Sequence, residues 1–143
     1  MRATLAACLL LAGCAAPPPD RTGGGDLPTI VSLNPCTDAI LAEVADPAQV
    51  LAISHYSHDP AATSMPLDDA RRFRATGGTV EEVLALDPDV VVGSSFMAPA
   101  TRSALGRLGL RVETVGIAAT VEDSTDQVRR LAAIAGHPER GEA

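Results

Sequence analysis

Thr79-Val80-Glu81-Glu82-Val83-Leu84-Ala85-Leu86-Asp87-Pro88-Asp89-Val90-Val91-Val92 places a helix and the strand that follows it in one short stretch. Thr79 and Glu82 have the spacing of a capping box, in which the hydroxyl accepts from the third helical amide and the carboxylate reaches back to the cap. Asp87-Pro88 ends the helix, because the residue before a proline avoids the helical region and the ring cannot continue the ladder. Val90-Val91-Val92 is apolar without alternation, as a strand is when both faces of its sheet are covered. A helix that feeds such a strand is the second half of a parallel βαβ unit.

The same alternation extends in both directions. On the amino-terminal side, residues 29–33 form a short β-branched run. Asn34-Pro35 then opens a helix, with Asn as cap and Pro in the first helical position. Its apolar face is Ile40, Leu41 and Val44, and Asp46-Pro47 closes it. A second strand is expected at residues 50–53, followed by a polar loop from Ser54 to about Gly78. On the carboxyl-terminal side, a helix over 99–108 ends at Gly109 and a strand runs over 111–115. Thr120 with Asp123 caps a last helix, with Val121, Val128 and Leu131 on one face and Gly136-His137-Pro138 beyond it. The fold class is therefore α/β, a parallel sheet flanked by helices. Neither GxGxxG nor GxxxxGK[ST] follows a strand, so the dinucleotide and nucleoside-triphosphate signatures are missing.

The first residues read as an export signal. Arg2 precedes an apolar run over 5–12 that is too short to span a bilayer. It ends in Leu11-Ala12-Gly13-Cys14, which resembles the lipobox of bacterial lipoproteins; a plain secretory signal with a chance cysteine is the alternative. The resemblance implies cleavage before Cys14 and acyl chains (palmitate among them) on the new terminus. Pro17-Pro18-Pro19 and Gly23-Gly24-Gly25 then mark a segment that cannot bury a core and reads as a tether. The expected organisation is a signal peptide at 1–13, a flexible tether at 14–26 and one α/β lobe at 27–143.

Composition limits the function classes. The net charge of −7, from 11 Arg and no Lys against 18 acidic residues, lacks the basic stripe that nucleic acid demands. Cys8, Cys14 and Cys36 form no CxxC pair and no zinc spacing. The chain has one Tyr, two Phe and three Met. Tyr56, Met65, Phe73, Phe96 and Met97 all fall in or beside loops, although both Phe residues would also suit a core. In open parallel sheets ligands bind beyond the carboxyl ends of the strands. After the first strand come Asn34 and Cys36; after the second, His55, Tyr56 and His58; after the third, Ser94, Ser95, Phe96 and Met97. The expected ligand face is Asn34, His55, Tyr56, His58, Phe96 and Met97, suited to a large, partly apolar solute. A metal or haem site on His55, Tyr56 and His58 is the main alternative. A small hydrolase using Cys36 or Ser94 is the weaker one, since Ser94 lacks a GxSxG context. No catalytic residue, resident metal or cofactor is expected.

Four segments resemble the amino-terminal lobe of the solute-binding proteins that serve ABC importers of cobalamin, iron–siderophores and haem. They are Ile30-Val31-Ser32-Leu33-Asn34-Pro35, Val50-Leu51-Ala52-Ile53-Ser54-His55-Tyr56-Ser57, the Val80–Val91 stretch quoted above, and Leu105-Gly106-Arg107-Leu108-Gly109-Leu110-Arg111-Val112. The resemblance implies a Rossmann-like lobe, the first of two joined by a long helix, with a cobalt or iron chelate held between them. It implies a periplasmic protein, held to a membrane through Cys14, whose partners are an importer permease and that small ligand. Ala143 falls before a second lobe, so one lobe is expected, with the last helix leading toward the interlobe connection. Of the family's ligand contacts, Tyr56 is the one that carries over. Two departures are visible. Gly93 stands where the cobalamin binders have tryptophan, and residues 97–103 lack the acid that docks on the permease. Asp68, Asp69 and Glu82 are the substitutes the sequence offers for that docking.

Overall fold

The computed structural model describes residues 27–142. Cys14, the signal over 1–13, the tether over 14–26 and Ala143 lie outside the described residues. Five strands, β1 (Ile30–Ser32), β2 (Val50–Ser54), β3 (Ala75–Thr76), β4 (Val90–Ser94) and β5 (Arg111–Val115), form one sheet in the order β3-β2-β1-β4-β5. Every pairing is parallel. The helices are α1 (Pro35–Val44), α2 (Leu67–Ala70), α3 (Val80–Leu86), α4 (Pro99–Arg107) and α5 (Val121–Ala135), with 3₁₀ turns at His55–His58 and Pro138–Glu142.

The central strands β1, β2 and β4 are mainly apolar because each faces helices on both sides, whereas the edge strand β5 carries Arg111 and Glu113. Ile30, Ile53, Val90 and Val92 pack with Leu41, Val44 and Leu131 of α1 and α5. Val31, Ala52 and Val91 point the other way, to Val83 of α3 and Leu105 of α4. Alternation of side chains along a strand therefore divides one continuous apolar run between two cores. All of these residues are at most 3% exposed.

Local chemistry places the helix ends where the sequence reading puts them. Asn34 Oδ1 accepts from the amides of Cys36 (2.9 Å) and Thr37 (3.4 Å). Thr79 with Glu82 and Thr120 with Asp123 both form complete capping boxes. Glu82 and Asp123 are held below the usual carboxylate range, first by a backbone amide (Thr79 and Ala119 respectively). Gly136, at φ 83°, closes α5 in the left-handed region that glycine adopts without strain.

Two expectations need correction. The stretch from Ser54 to Gly78 is not a single loop. It holds a 3₁₀ turn, the short α2 and the edge strand β3. A strand of two residues has no periodicity to read, and Phe73, 6% exposed, anchors the segment to the core beside Ala70. Val121 does not share the buried face of α5. It is 78% exposed, whereas Leu131 is buried and Val128 half-buried. The buried residues of α5, Leu131, Ala132, Ile134 and Ala135, all lie in its later turns, and residues 138–142 fold back onto it. There Gly141 lies so close that a Cβ would come 2.8 Å from Arg129 Cα.

Candidate functional site

The sheet order reverses between β1 and β4, since β2 and β3 lie to one side and β5 to the other. The loops leaving these two central strands diverge, and that switch point is where open α/β sheets bind ligands. Two hollows flank it. The first, about 230 Å³, is lined by Leu33, His55, Tyr56, Thr76, Phe96 and Met97, with Gly77 and Gly78 at its side. The second, about 340 Å³, includes Asn34, Cys36, Phe96, Ile117 and Gln127. Phe96 lines both and stands between them as a 75% exposed wedge.

The carboxyl ends of β2 and β4 hold these side chains in similar ways. Ser54 caps the His55–His58 turn, its hydroxyl accepting from the Tyr56 amide at 3.3 Å. Ser94 does the same at the end of β4, accepting from the Phe96 amide at 3.2 Å. Each serine thereby turns the chain so that the aromatic two residues later projects outward. His55 and Tyr56 stack with ring centroids 4.0 Å apart, and His55 Nδ1 donates to the Thr76 carbonyl at 3.3 Å. Tyr56 is 55% exposed.

Met97 explains the floor. A Cβ on Gly93 would lie 2.2 Å from the Met97 Cε, so the thioether methyl occupies the space a larger residue at 93 would take. Met97 is flexible and polarisable, which makes that filling soft. Gly78, at φ 75°, turns the chain after β3, and a Cβ there would press on Leu33 at 3.3 Å.

Beneath the surface lies Asp38, fully buried in the first turn of α1. Its Oδ2 accepts from the Ser54 amide at 3.0 Å and from the Ser57 hydroxyl at 2.6 Å. Its Oδ1 has no hydrogen-bond partner. Burial pushes its pKa up to about 6, against the opposing effect of the polar groups of Ser32, Ser57, Ser54 and Asn34 around it.

Of the residues the sequence nominates, the first hollow gathers His55, Tyr56, Phe96 and Met97. Asn34 lies beside the second, its side-chain oxygen committed to capping α1. His58 lines neither: its Nε2 donates to the Ala70 carbonyl at 3.0 Å and ties the turn to α2. Cys36 Sγ lies 3.8 Å from Ser64 Oγ. Among the described residues no cluster of three His, Cys, Asp or Glu could hold a metal ion. Glu82 is engaged by its capping box and by the Thr76 hydroxyl, whereas Asp68 is exposed and Asp69 half-buried, paired with Arg71 and Arg72 respectively. The sequence reading did not single out Leu33, Thr76, Gly77, Gly78 and Ile117. Leu33 follows β1, Thr76 ends the unrecognised β3, and Gly77 and Gly78 follow it, so the strand-end rule reaches these four once β3 is known.

The family model for periplasmic binding proteins matches residues 30–143. The chain belongs to that family. Solved structures agree on the fold. A periplasmic haem binding protein from Pseudomonas aeruginosa superposes with TM-score 0.64 at 24% identity, over 81% of this chain and 41% of that one. A possible iron-binding periplasmic solute-binding protein from Staphylococcus epidermidis gives 0.67 at 15% identity, over 82% and 46%. The periplasmic vitamin B12 binding protein of Vibrio cholerae gives 0.61 at 23% identity, over 80% and 44%. The chain thus spans less than half the length of each of these structures, and the likeness establishes a shared α/β lobe. Comparison with curated proteins returned no match.

Proposed function

We propose that this chain provides one face of a solute-binding cleft for an ABC importer, and that the solute is a large, flat or bulky metal chelate of the haem, cobalamin or ferric siderophore type. The observation that carries this is the first hollow. Its scarce aromatics stand out of the core at the switch point of the sheet, next to a thioether floor. Its volume, about 230 Å³, is below the roughly 300–1,000 Å³ of a complete small-molecule site. It suits one wall of a cleft whose other wall lies elsewhere. Asn34 borders the same face through the second hollow, and His55 sits at its rim. A direct metal site on His55, Tyr56 and His58 is less well supported, because His58 is turned toward Ala70.

The remaining parts of the proposal rest on the sequence. Residues 1–13 are a signal peptide, 14–26 a tether, and 27–143 the amino-terminal lobe. Cys14 carries the lipid that holds the protein to a membrane in the periplasm, and a permease receives the solute. Asp68 and Asp69 are better placed to meet that permease than Glu82, which its capping box occupies. Replacing Cys14 with Ser should release the protein from the membrane fraction; unchanged retention would count against the anchor.

The test of the binding assignment is titration with haemin, cyanocobalamin and a ferric siderophore, followed by absorbance or calorimetry. At least one should bind, and Tyr56→Ala and Phe96→Ala should each weaken it by about tenfold, as loss of an exposed aromatic contact implies. A ligand that binds equally well to both variants would place the site elsewhere.

A further inference from the structure

Asp38 never reaches the surface, yet it is joined to the hollow through two bonds. It sits on α1, while both donors to its Oδ2 flank or form the turn that presents the aromatic pair. Ser54 is the cap of that turn and Ser57 is buried inside it. One oxygen thus holds the His55–His58 turn at two points from below, while His55 and Tyr56 project from its other side. The turn has few other ties: Nδ1 of His55 to Thr76, Nε2 of His58 to Ala70, and the Asp59 amide to the Tyr56 carbonyl. A fully buried carboxylate with an unpartnered oxygen is costly, because desolvation is not offset by a cation. An apolar residue would fill the place more cheaply, and the two donors it would strand belong to the ligand-bearing turn.

We propose that Asp38 is a positioning residue for the ligand face: through Ser54 and Ser57 it fixes the turn that holds His55 and Tyr56, and so sets capture of the solute without touching it. The ligand half of this statement rests on the binding function proposed above; the positioning half does not. An ionised acceptor makes hydrogen bonds roughly twice as strong as a neutral one, so the hold on the turn is firmest while the carboxylate carries its charge. The titratable groups on elements packed around α1 are His55, Tyr56 and His58 on the turn, Glu122, Asp123, Asp126, Arg129 and Arg130 on α5, and Glu139, Arg140 and Glu142 on the final 3₁₀ turn, where Arg140 donates to the Val44 carbonyl. α1 itself adds Cys36 and Glu43, while β2 and β4 contribute none. None of them bonds to Asp38; its environment is made of Ser32, Ser54, Ser57 and the Asn34 backbone, and its position near pH 6 follows from burial. Protonation in that range weakens the hold on the turn.

The chain carries its own reporter. Tyr56 is the single tyrosine and there is no tryptophan, so near-ultraviolet circular dichroism and fluorescence anisotropy excited in the tyrosine band report this turn. Both are measured on the full chain from pH 8 to pH 5 in wild type, Asp38→Asn, Asp38→Ala and Ser57→Ala. The Asp38→Asn side chain keeps an acceptor oxygen and cannot ionise. That variant should give at every pH the Tyr56 signal that wild type approaches at pH 5, and so lose the transition centred near pH 6 that wild type shows. Asp38→Ala and Ser57→Ala should lower the Tyr56 dichroism and anisotropy already at pH 8. If Asp38→Ala fails to fold, Ser57→Ala and Asp38→Asn carry the test. Haemin titration of the same four proteins at pH 8 should show about tenfold weaker binding for the two alanine variants and a smaller loss for Asp38→Asn, which keeps an acceptor but not the charge. Tyr56 signals that are the same in all four proteins at every pH would overturn the proposal. Changed Tyr56 signals with no haemin binding by any protein would uphold the positioning role and sink the haem reading of the function.

Discussion

The two ends of the sheet are built on opposite plans. At the amino end, Gln49 is buried and fully occupied. Its Oε1 accepts from the Asp46 amide and from His137 Nε2, and its Nε2 donates to the carbonyls of Pro28 and Ala135. Arg140 adds bonds to the Val44 carbonyl and Asp46, which lowers the Asp46 pKa mainly through that hydrogen bond. This network ties the start of β2 to the end of α5 and the final turn. At the carboxyl end, Tyr56, Phe96 and Ile117 remain exposed, and the hollows between them are open. One end finishes its hydrogen bonds within the lobe. The other leaves apolar surface uncovered, and contiguous exposed apolar surface of this kind marks a site of interaction.

Stability should separate the two ends most sharply. Gln49→Leu removes the partner of the Asp46 amide and of the Pro28 and Ala135 carbonyls, the last of them buried, and leaves His137 Nε2 only the Asp46 carboxylate at 3.5 Å. At about 1–3 kcal/mol for each unmet buried group, partly relieved by water, a loss of about 3 kcal/mol is expected in urea denaturation. A loss below about 1 kcal/mol would show that the amino end is not the lock described.

The next effect lies beneath the carboxyl end, at Asp38. Its folded pKa, about 6, is above the ordinary 3.8. Between those values the folded state binds more protons than the unfolded one, so stability falls as pH rises through that window. The stabilisation is fully present below about 3.8 and is lost above about 6, on the order of 3 kcal/mol at the usual conversion. The carboxylates with lowered pKa values, Asp46, Glu82, Glu113 and Asp123, act in the opposite sense, below their ordinary values. Asp38→Asn should therefore remove a slope between pH 4 and 6 that urea midpoints detect in wild type. Identical slopes in the two proteins would contradict the buried-carboxylate assignment.

The smallest effect is expected at the exposed aromatics. Phe96→Ala and Tyr56→Ala should alter folding stability by no more than about 0.5 kcal/mol, as surface substitutions do, while ligand binding falls. A large loss of stability in either would make it a core residue and blunt the contrast between the ends.

What the sequence revealed follows the same division. The helices and strands that build the lobe were legible because caps, prolines and apolar runs are local signals: Asn34-Pro35, Thr79 with Glu82, Asp87-Pro88 and Thr120 with Asp123 all act where they are expected. Tyr56, Phe96 and Met97 could be grouped because each follows a strand. The β3 edge strand, and with it Thr76, Gly77 and Gly78, was hidden, since two residues carry no pattern. The role of His58 depends on where α2 lies, and that of Asp38 on the approach of α1 to the Ser54–Ser57 turn. Both are tertiary facts. Gln49 and His137 are 88 residues apart and meet only in the fold.

The most direct measurement of which end faces the solute is a map of backbone amide chemical-shift changes during titration of the full chain with haemin, cyanocobalamin or a ferric siderophore. Changes are expected to centre on Leu33, Tyr56, Thr76, Gly78, Phe96 and Met97, with Gln49, Asp46 and His137 undisturbed. Changes centred on Gln49 and His137, with Tyr56 and Phe96 unmoved, would contradict the assignment of the carboxyl end as the binding face.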